Sequence, residues 1–165
     1  MDEAERERER RRLRTLADYQ FGRGAGRALF GEGQQEVTVR RTSTGRPQQV
    51  LAGGDRLVSY GTDGRFTLGI AGGRRLHAVL DAPAYSVVVG DESEPYVRDG
   101  ANAFAKFVLD ADPAIRPGDE VLVVHERGDL LAVGRAELPA GAMRDFGTGM
   151  AVKTREGAGD SRGTG

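Results

Sequence analysis

Apolar and polar positions alternate most clearly between residues 36 and 71. In EVTVRR, Val37 and Val39 fall on one face, and RPQQVLA, RLVSYG and RFTLGIA follow. Gly53-Gly54-Asp55 and Thr62-Asp63-Gly64 separate these runs. A period of two broken by such turn residues predicts a β-meander, and the Asp-Gly pair is a strong hairpin signal. Upstream, residues 2–18 alternate Glu with Arg at spacings that give i,i+3 and i,i+4 pairs, and Leu13, Leu16 and Ala17 form a short apolar stripe. That pattern predicts a helix. Residues 2–10 have no apolar face beyond Ala4, so they are expected to be a solvated or frayed extension. YQFGRGAGRALF, at 19–30, reads as a loop or tightly packed helix entry with Tyr19, Phe21, Leu29 and Phe30 in the core. Gly72–Leu80 reads as a short helix with Leu76, Val79 and Leu80 turned inward.

The pattern restarts after Ala82-Pro83. VVV at 87–89, AFAKFVL at 103–109, EVLVVH at 120–125, LLAVGRAEL at 130–138 and MAVKTRE at 150–156 are strand-like, with helical pieces at 94–99 and 140–146. So many short strands in so few residues predict a closed β structure. The last residues, GAGDSRGTG, are too polar and glycine-rich to pack. The expected fold class is α+β. A charged helical extension (1–18) and a small α+β module (19–82) precede a β-barrel with two short helices (83–157) and a disordered tail (158–165).

Composition narrows the chemistry. The chain has 165 residues, 25 of them glycine, about twice the average share, which favours short strands and turns. It contains no cysteine, which excludes disulfides, thiolate catalysis and Cys-ligated zinc. With His77 and His125 the only histidines, a multi-histidine metal site is not expected, nor is any cofactor. No apolar run is long enough to span a membrane, and the N-terminus lacks the apolar stretch of a signal peptide, so a cytoplasmic protein is expected. The net charge of −1 conceals an asymmetry. Residues 13–80 carry ten arginines against five acids, a net of +5, whereas residues 81–165 carry 9 basic and 15 acidic side chains, a net of −6. The basic half could meet a polyanion.

No catalytic constellation emerges. G-x-G-x-G at 22–26 is neither a dinucleotide fingerprint nor a P-loop. His77 sits in a predicted helix and His125 ends an apolar strand, and G-x-S-x-G is absent. Asp91/Glu92/Glu94, Asp110/Asp112 and Asp119/Glu120 are carboxylate groupings of the kind turns and helix caps already require.

The segment EPYVRDGANAFAKFV, its spacing to PGDEVLVV, then AVGRA and GMAVKTREG resemble a PUA domain, a small RNA-binding β-barrel of pseudouridine synthases and archaeosine transglycosylases. The wording AKFV and DADPAIRPGDEVLVV is similar to the C-terminal PUA domain of archaeal tRNA-guanine transglycosylase. YQFGRGAGRALF, TGR at 44–46, TDGRFTLGIAGGRRL and Pro83 resemble the pre-PUA region of the same family. The family's catalytic barrel and cysteine-rich zinc site have no counterpart here. The resemblance therefore implies a non-catalytic RNA-binding protein, acting on tRNA in the archaeosine pathway, with a catalytic tRNA-modifying subunit as a partner. The alternative is a stand-alone ribosome or translation factor of pre-PUA–PUA type.

The resemblance also implies that the loop around Gly100, the following strand and the last strand line the RNA. The site residues expected on that basis are Arg98, Gly100, Asn102, Phe104, Lys106, Lys153 and Arg155. Strand alternation in 103–109 puts Phe107 and Leu109 on one side and Phe104 and Lys106 on the other. In 150–156, Met150 and Val152 share one side and Lys153 and Arg155 the other. Gly100 would let a backbone N–H approach phosphate. Phe104 serves either as a stacking aromatic or as core.

Overall fold

The computed structural model describes residues 2–31, 37–81, 84–145 and 147–159. The expected strand start at Glu36, the Ala82-Pro83 boundary, the helix end at Phe146 and residues 160–165 of the tail lie outside the described residues. Residues 1–80 and 81–165 form two compact units.

In the first unit, α1 (Glu3–Phe21) is capped by Asp2, whose carboxylate accepts from the Glu5 N–H at 2.8 Å. Arg10 pairs with Glu3 and Glu7, and Arg14 with Glu7. Glu9 accepts two hydrogen bonds from Arg41 of β1 (Val37–Arg41), at 2.6 and 2.5 Å. The first turns are therefore a regular, largely exposed helix, the solvated and not the frayed form of the expected extension, and Glu9 ties it to the sheet. The buried residues of α1 are Leu13, Ala17 and Phe21, at i,i+4 spacing. Leu16 is 40% exposed and Tyr19 93% exposed, because at about 100° per residue they point away from that stripe. The expected core placement of Tyr19 is thereby corrected, and Leu16 drops out of the expected apolar stripe.

Helix α2 (Ala25–Phe30) crosses α1 at Gly26, where a Cβ would stand 2.2 Å from the Arg14 carbonyl oxygen. Only glycine permits that approach, and Asp18 Oδ1 accepts the Gly26 N–H at 2.7 Å. Strands β1, β2 (Pro47–Ala52), β3 (Asp55–Tyr60) and β4 (Phe66–Leu68) form an antiparallel sheet in that order. The Gln20 side chain donates to the Phe66 carbonyl and accepts from its N–H, both at 2.8 Å, fastening α1 to β4. The run RFTLGIA splits at Gly69, so Ile70 opens helix α3 (Ile70–His77) instead of continuing the strand. Leu76 is buried, but Val79 is 53% exposed because the helix has already ended.

The second unit contains β5 (Ser86–Val89), α4 (Glu94–Arg98), β6 (Ala103–Phe104), a 3-10 turn (Ala105–Phe107) and β7 (Val108–Ala111). After these come β8 (Glu120–His125), β9 (Leu130–Ala136), α5 (Ala140–Asp145) and β10 (Met150–Gly157). The sheet order is β6-β10-β9-β8-β5-β7. Its two edge strands are consecutive in the chain and joined by the 3-10 turn, so the sheet curls into a nearly closed barrel. Val87, Val89, Val97, Val121, Val123, Leu131, Met143 and Val152 fill the interior. The α+β class and the β-barrel with two short helices are thus observed.

Two local expectations fail here. Residues 103–109 are not one strand, because the 3-10 turn interrupts them. The tail is ordered at its start. Ala158 N–H donates to Leu131 O at 2.8 Å and Gly159 N–H to Arg98 O at 3.0 Å. Among the described residues no helix is long and apolar enough to cross a membrane.

Candidate nucleic-acid interface

The 3-10 turn decides the surface. By compressing the backbone it swings Phe107 back towards Phe104, and both line one cavity of about 290 Å³ with Glu92, Tyr96, Val97 and Asn102. The expected separation of Phe104 from Phe107 onto opposite sides is therefore wrong, because strand alternation does not pass through a 3-10 turn. Phe104 is 44% exposed and Tyr96 is 67% exposed. Lys106, exposed on the same turn, places Nζ 5.0 Å from the centroid of the Phe107 ring, a cation–π distance. The result is an aromatic recess with a cation at its rim.

The recess owes its shape to α4 and to its exit. Ser93 and Val97 are buried beneath it while Tyr96 stands at its edge. Gly100 adopts φ of +102°, and its N–H donates to Val97 O at 2.9 Å. The Ala101 N–H closes the same cap on Tyr96 O at 2.9 Å. The glycine is required by this left-handed cap, and its amide is already bonded. Asn102 Oδ1 accepts the Thr154 N–H at 3.0 Å and so joins the loop to β10.

The arginines of the expected site are committed within the domain. Arg98 donates to Glu94 at 3.0 Å and to Gly159 O at 3.2 Å, with its side chain 11% exposed. Arg155 grips the buried Glu120 with both terminal nitrogens, Nη2 to Oε2 at 2.9 Å. Lys153 is exposed on β10, opposite Arg135 of β9. The structure therefore gathers Phe104 and Lys106 with Asn102 at the recess, leaves Lys153 open on the last strand, and draws Arg98 and Arg155 into ion pairs. Tyr96 and Phe107 lie outside the expected set. One helical turn from Ser93 to Tyr96 would have flagged the tyrosine, whereas nothing in AFAKFVL announces the turn that recruits Phe107.

Behind α4 lies a second polar cluster. Asp91, Glu94 and His125 bring one ligand atom each within 4.8 Å of one another. His125 Nδ1 accepts the Arg127 N–H at 3.1 Å, which assigns the proton to Nε2, and that nitrogen donates to Asp91 Oδ1 at 2.7 Å. Glu94 is held by the Arg127 and Arg98 guanidinium groups. The hydrogen bond from Arg127 is the largest influence, followed by the opposing cost of burial and then Arg98. The net effect brings its carboxyl to about 2 from an ordinary 4.5. Arg127 is raised in turn, chiefly by Glu94. Two guanidinium groups already neutralise the carboxylate, so the donor set fits an ion-pair network better than a metal.

Comparison with known proteins finds matches over most of the chain. Residues 85–158 match the PUA domain family, and residues 11–83 match the patch-forming domain C2 of tRNA-guanine transglycosylase. A hypothetical protein of Pyrococcus horikoshii OT3 superposes with a TM-score of 0.71 at 24% identity, covering 94% of this chain and 93% of that one. A PUA domain protein of Thermoplasma acidophilum gives 0.64 at 22%, covering 94% and 92%. At those identities the likeness establishes the fold. The chain is an α+β PUA-domain protein.

In sequence it resembles the C-terminal pre-PUA plus PUA region of archaeal tRNA-guanine transglycosylase. It is 49% identical over 153 residues to the tRNA-guanine(15) transglycosylase of Pyrococcus abyssi, covering 92% of this chain and 25% of that protein. It is 45% identical over 148 residues to that of Methanothermobacter thermautotrophicus, covering 88% and 22%. The chain spans about a quarter of the length of the curated relatives it matches.

Proposed function

We propose that this chain binds RNA without catalysing a reaction, and that its RNA is tRNA undergoing modification, with a catalytic tRNA-modifying subunit as its partner. The observation that carries the reading is the pair of matches to C2 and PUA, spanning residues 11–158, with relatives named tRNA-guanine(15) transglycosylase at up to 49% identity.

The recess supports a division of labour. Its walls are apolar and aromatic, and Glu92 at its edge would repel a phosphate, so it suits an unstacked base held between Phe104 and Tyr96. Lys106 and Lys153, exposed outside it, would take the flanking phosphates. Arg98, Asn102, Arg155 and the Gly100 cap would hold the loop and β10 in position.

The test is Phe104→Ala. If a base stacks on the ring, affinity for a tRNA transcript falls by about 1–3 kcal/mol. Because the side chain is nearly half exposed, thermal unfolding changes little by comparison. Unchanged affinity in a folded variant would remove the stacking role.

A further inference from the structure

The imidazole of His125 is buried at the end of β8, with its side chain 5% exposed, and the proposed RNA contacts do not use it. A neutral ring has one acceptor nitrogen, and here that acceptor is Nδ1, 3.1 Å from the Arg127 N–H nitrogen. The bond closes the turn from β8 to β9. Two backbone bonds lie beside it, His125 N–H to Asp129 O at 2.8 Å and Gly128 N–H to His125 O at 2.7 Å. From that turn the Arg127 guanidinium reaches Glu94 at the start of α4. The turn thus holds the helix whose Tyr96 and Val97 line the recess.

The charged groups around the ring come from three segments. The loop after β5 supplies Asp91, whose Oδ1 lies 2.7 Å from Nε2. Helix α4 supplies Glu94, with Oε1 3.9 Å from Nε2, and Arg98, bonded to Glu94 at 3.0 Å. The turn supplies Arg127, with Nη1 3.2 Å from Nε2, and Asp129, bonded to Arg127 Nε at 2.5 Å. Glu126 places its carboxylate over Gly90.

An imidazole ordinarily changes charge between roughly pH 5 and 8. A proton added at Nδ1 turns the acceptor into a donor that faces the Arg127 N–H. The added charge also sets the ring against the guanidinium nitrogen 3.2 Å away. Glu94 stays anionic through that range. The hydrogen bond from Arg127, against the cost of burial and with help from Arg98, holds its carboxyl at about 2. The carboxylate can therefore serve either cation, Arg127 as observed or a charged ring whose Nε2 already lies 3.9 Å from it.

We propose that His125 is a proton-operated latch on α4. With the ring neutral, the β8–β9 turn grips the helix through Arg127 and Glu94. With the ring charged, the imidazolium takes Glu94, and Arg127 leaves together with its turn. Protonation then alters the helix that walls the recess, whatever ligand the recess takes.

The test follows the ring nitrogens of His125 and the backbone amides of Arg127, Tyr96 and Val97 by NMR on the full chain, from about pH 8 to about pH 5. The amides should shift with the midpoint of the ring. Protection of the Arg127 amide from solvent exchange, corrected for the intrinsic rate, should fall several-fold at the acid end. His125→Asn supplies an uncharged acceptor in place of Nδ1 and should keep the turn closed across the range. Glu94→Gln removes the carboxylate that both cations need, so the midpoint of the ring should move to lower pH and the α4 amides should cease to follow it. If either variant fails to fold, the parent titration decides alone. A ring that stays neutral throughout, or one that titrates while the Arg127 amide stays fixed, overturns the latch. So does a Glu94→Gln ring with the parent's midpoint.

Discussion

Glu120 is a carboxylate buried at the start of β8, and Arg155 is its bidentate partner. Removing the arginine takes away the guanidinium that grips both oxygens of this buried charge. Arg155→Ala should therefore destabilise the protein by on the order of 2–3 kcal/mol, the lower side of buried-pair values because the arginine is partly exposed. Replacing both partners by apolar residues should recover most of the loss. Denaturant unfolding of the single and double variants measures this, and equal losses would contradict the account. Glu94 gives a pH signature. Its folded value of about 2 lies below the ordinary 4.5, so the stability it contributes is complete above about 4.5 and is lost as pH falls towards about 2. Glu94→Gln should flatten the stability profile in that window, and a variant with the parent's acid profile would show that the ion pairs are not what holds α4. At this scale sequence reading was limited. Alternation put Lys153 and Arg155 outward on a shared side, but no pattern in MAVKTREG shows that Arg155 has a buried acid to serve.

At the scale of elements, the meander, the barrel strands and the short helices were legible because period-two alternation and Gly or Asp-Gly turns mark them locally. The 3-10 turn was not legible, since AFAKFVL satisfies a strand pattern and only barrel closure between β6 and β7 demands the turn. The same limit applies to Tyr19, an aromatic beside a packed helix entry that the register of α1 turns to solvent. The α4 exit shows a geometric reason behind a sequence mark. Gly100 is fixed by its φ of +102°, with open space around its missing side chain. Gly100→Ala should cost about 1–2 kcal/mol of stability through backbone strain alone. A thermal scan showing no loss would contradict the cap.

At the scale of the whole molecule, charge and fold divide differently. The second unit has a net charge of −6, yet many of its acids are consumed internally, Glu94 by Arg127 and Arg98, and Glu120 by Arg155. The two lysines of the chain lie outside those pairs, one beside the aromatic recess and one on the last strand. Net charge is therefore a poor guide to where an anion would dock. The central claim is that these lysines take RNA phosphates beside a base-binding recess. The most direct measurement is tRNA affinity of the full chain against salt concentration, for the parent and for Lys106→Ala/Lys153→Ala. The account predicts weaker binding, similar across RNA sequences, and a log–log slope lower by roughly 1.4–1.8 at unchanged thermal stability. A folded double variant with the parent's affinity and slope would contradict it.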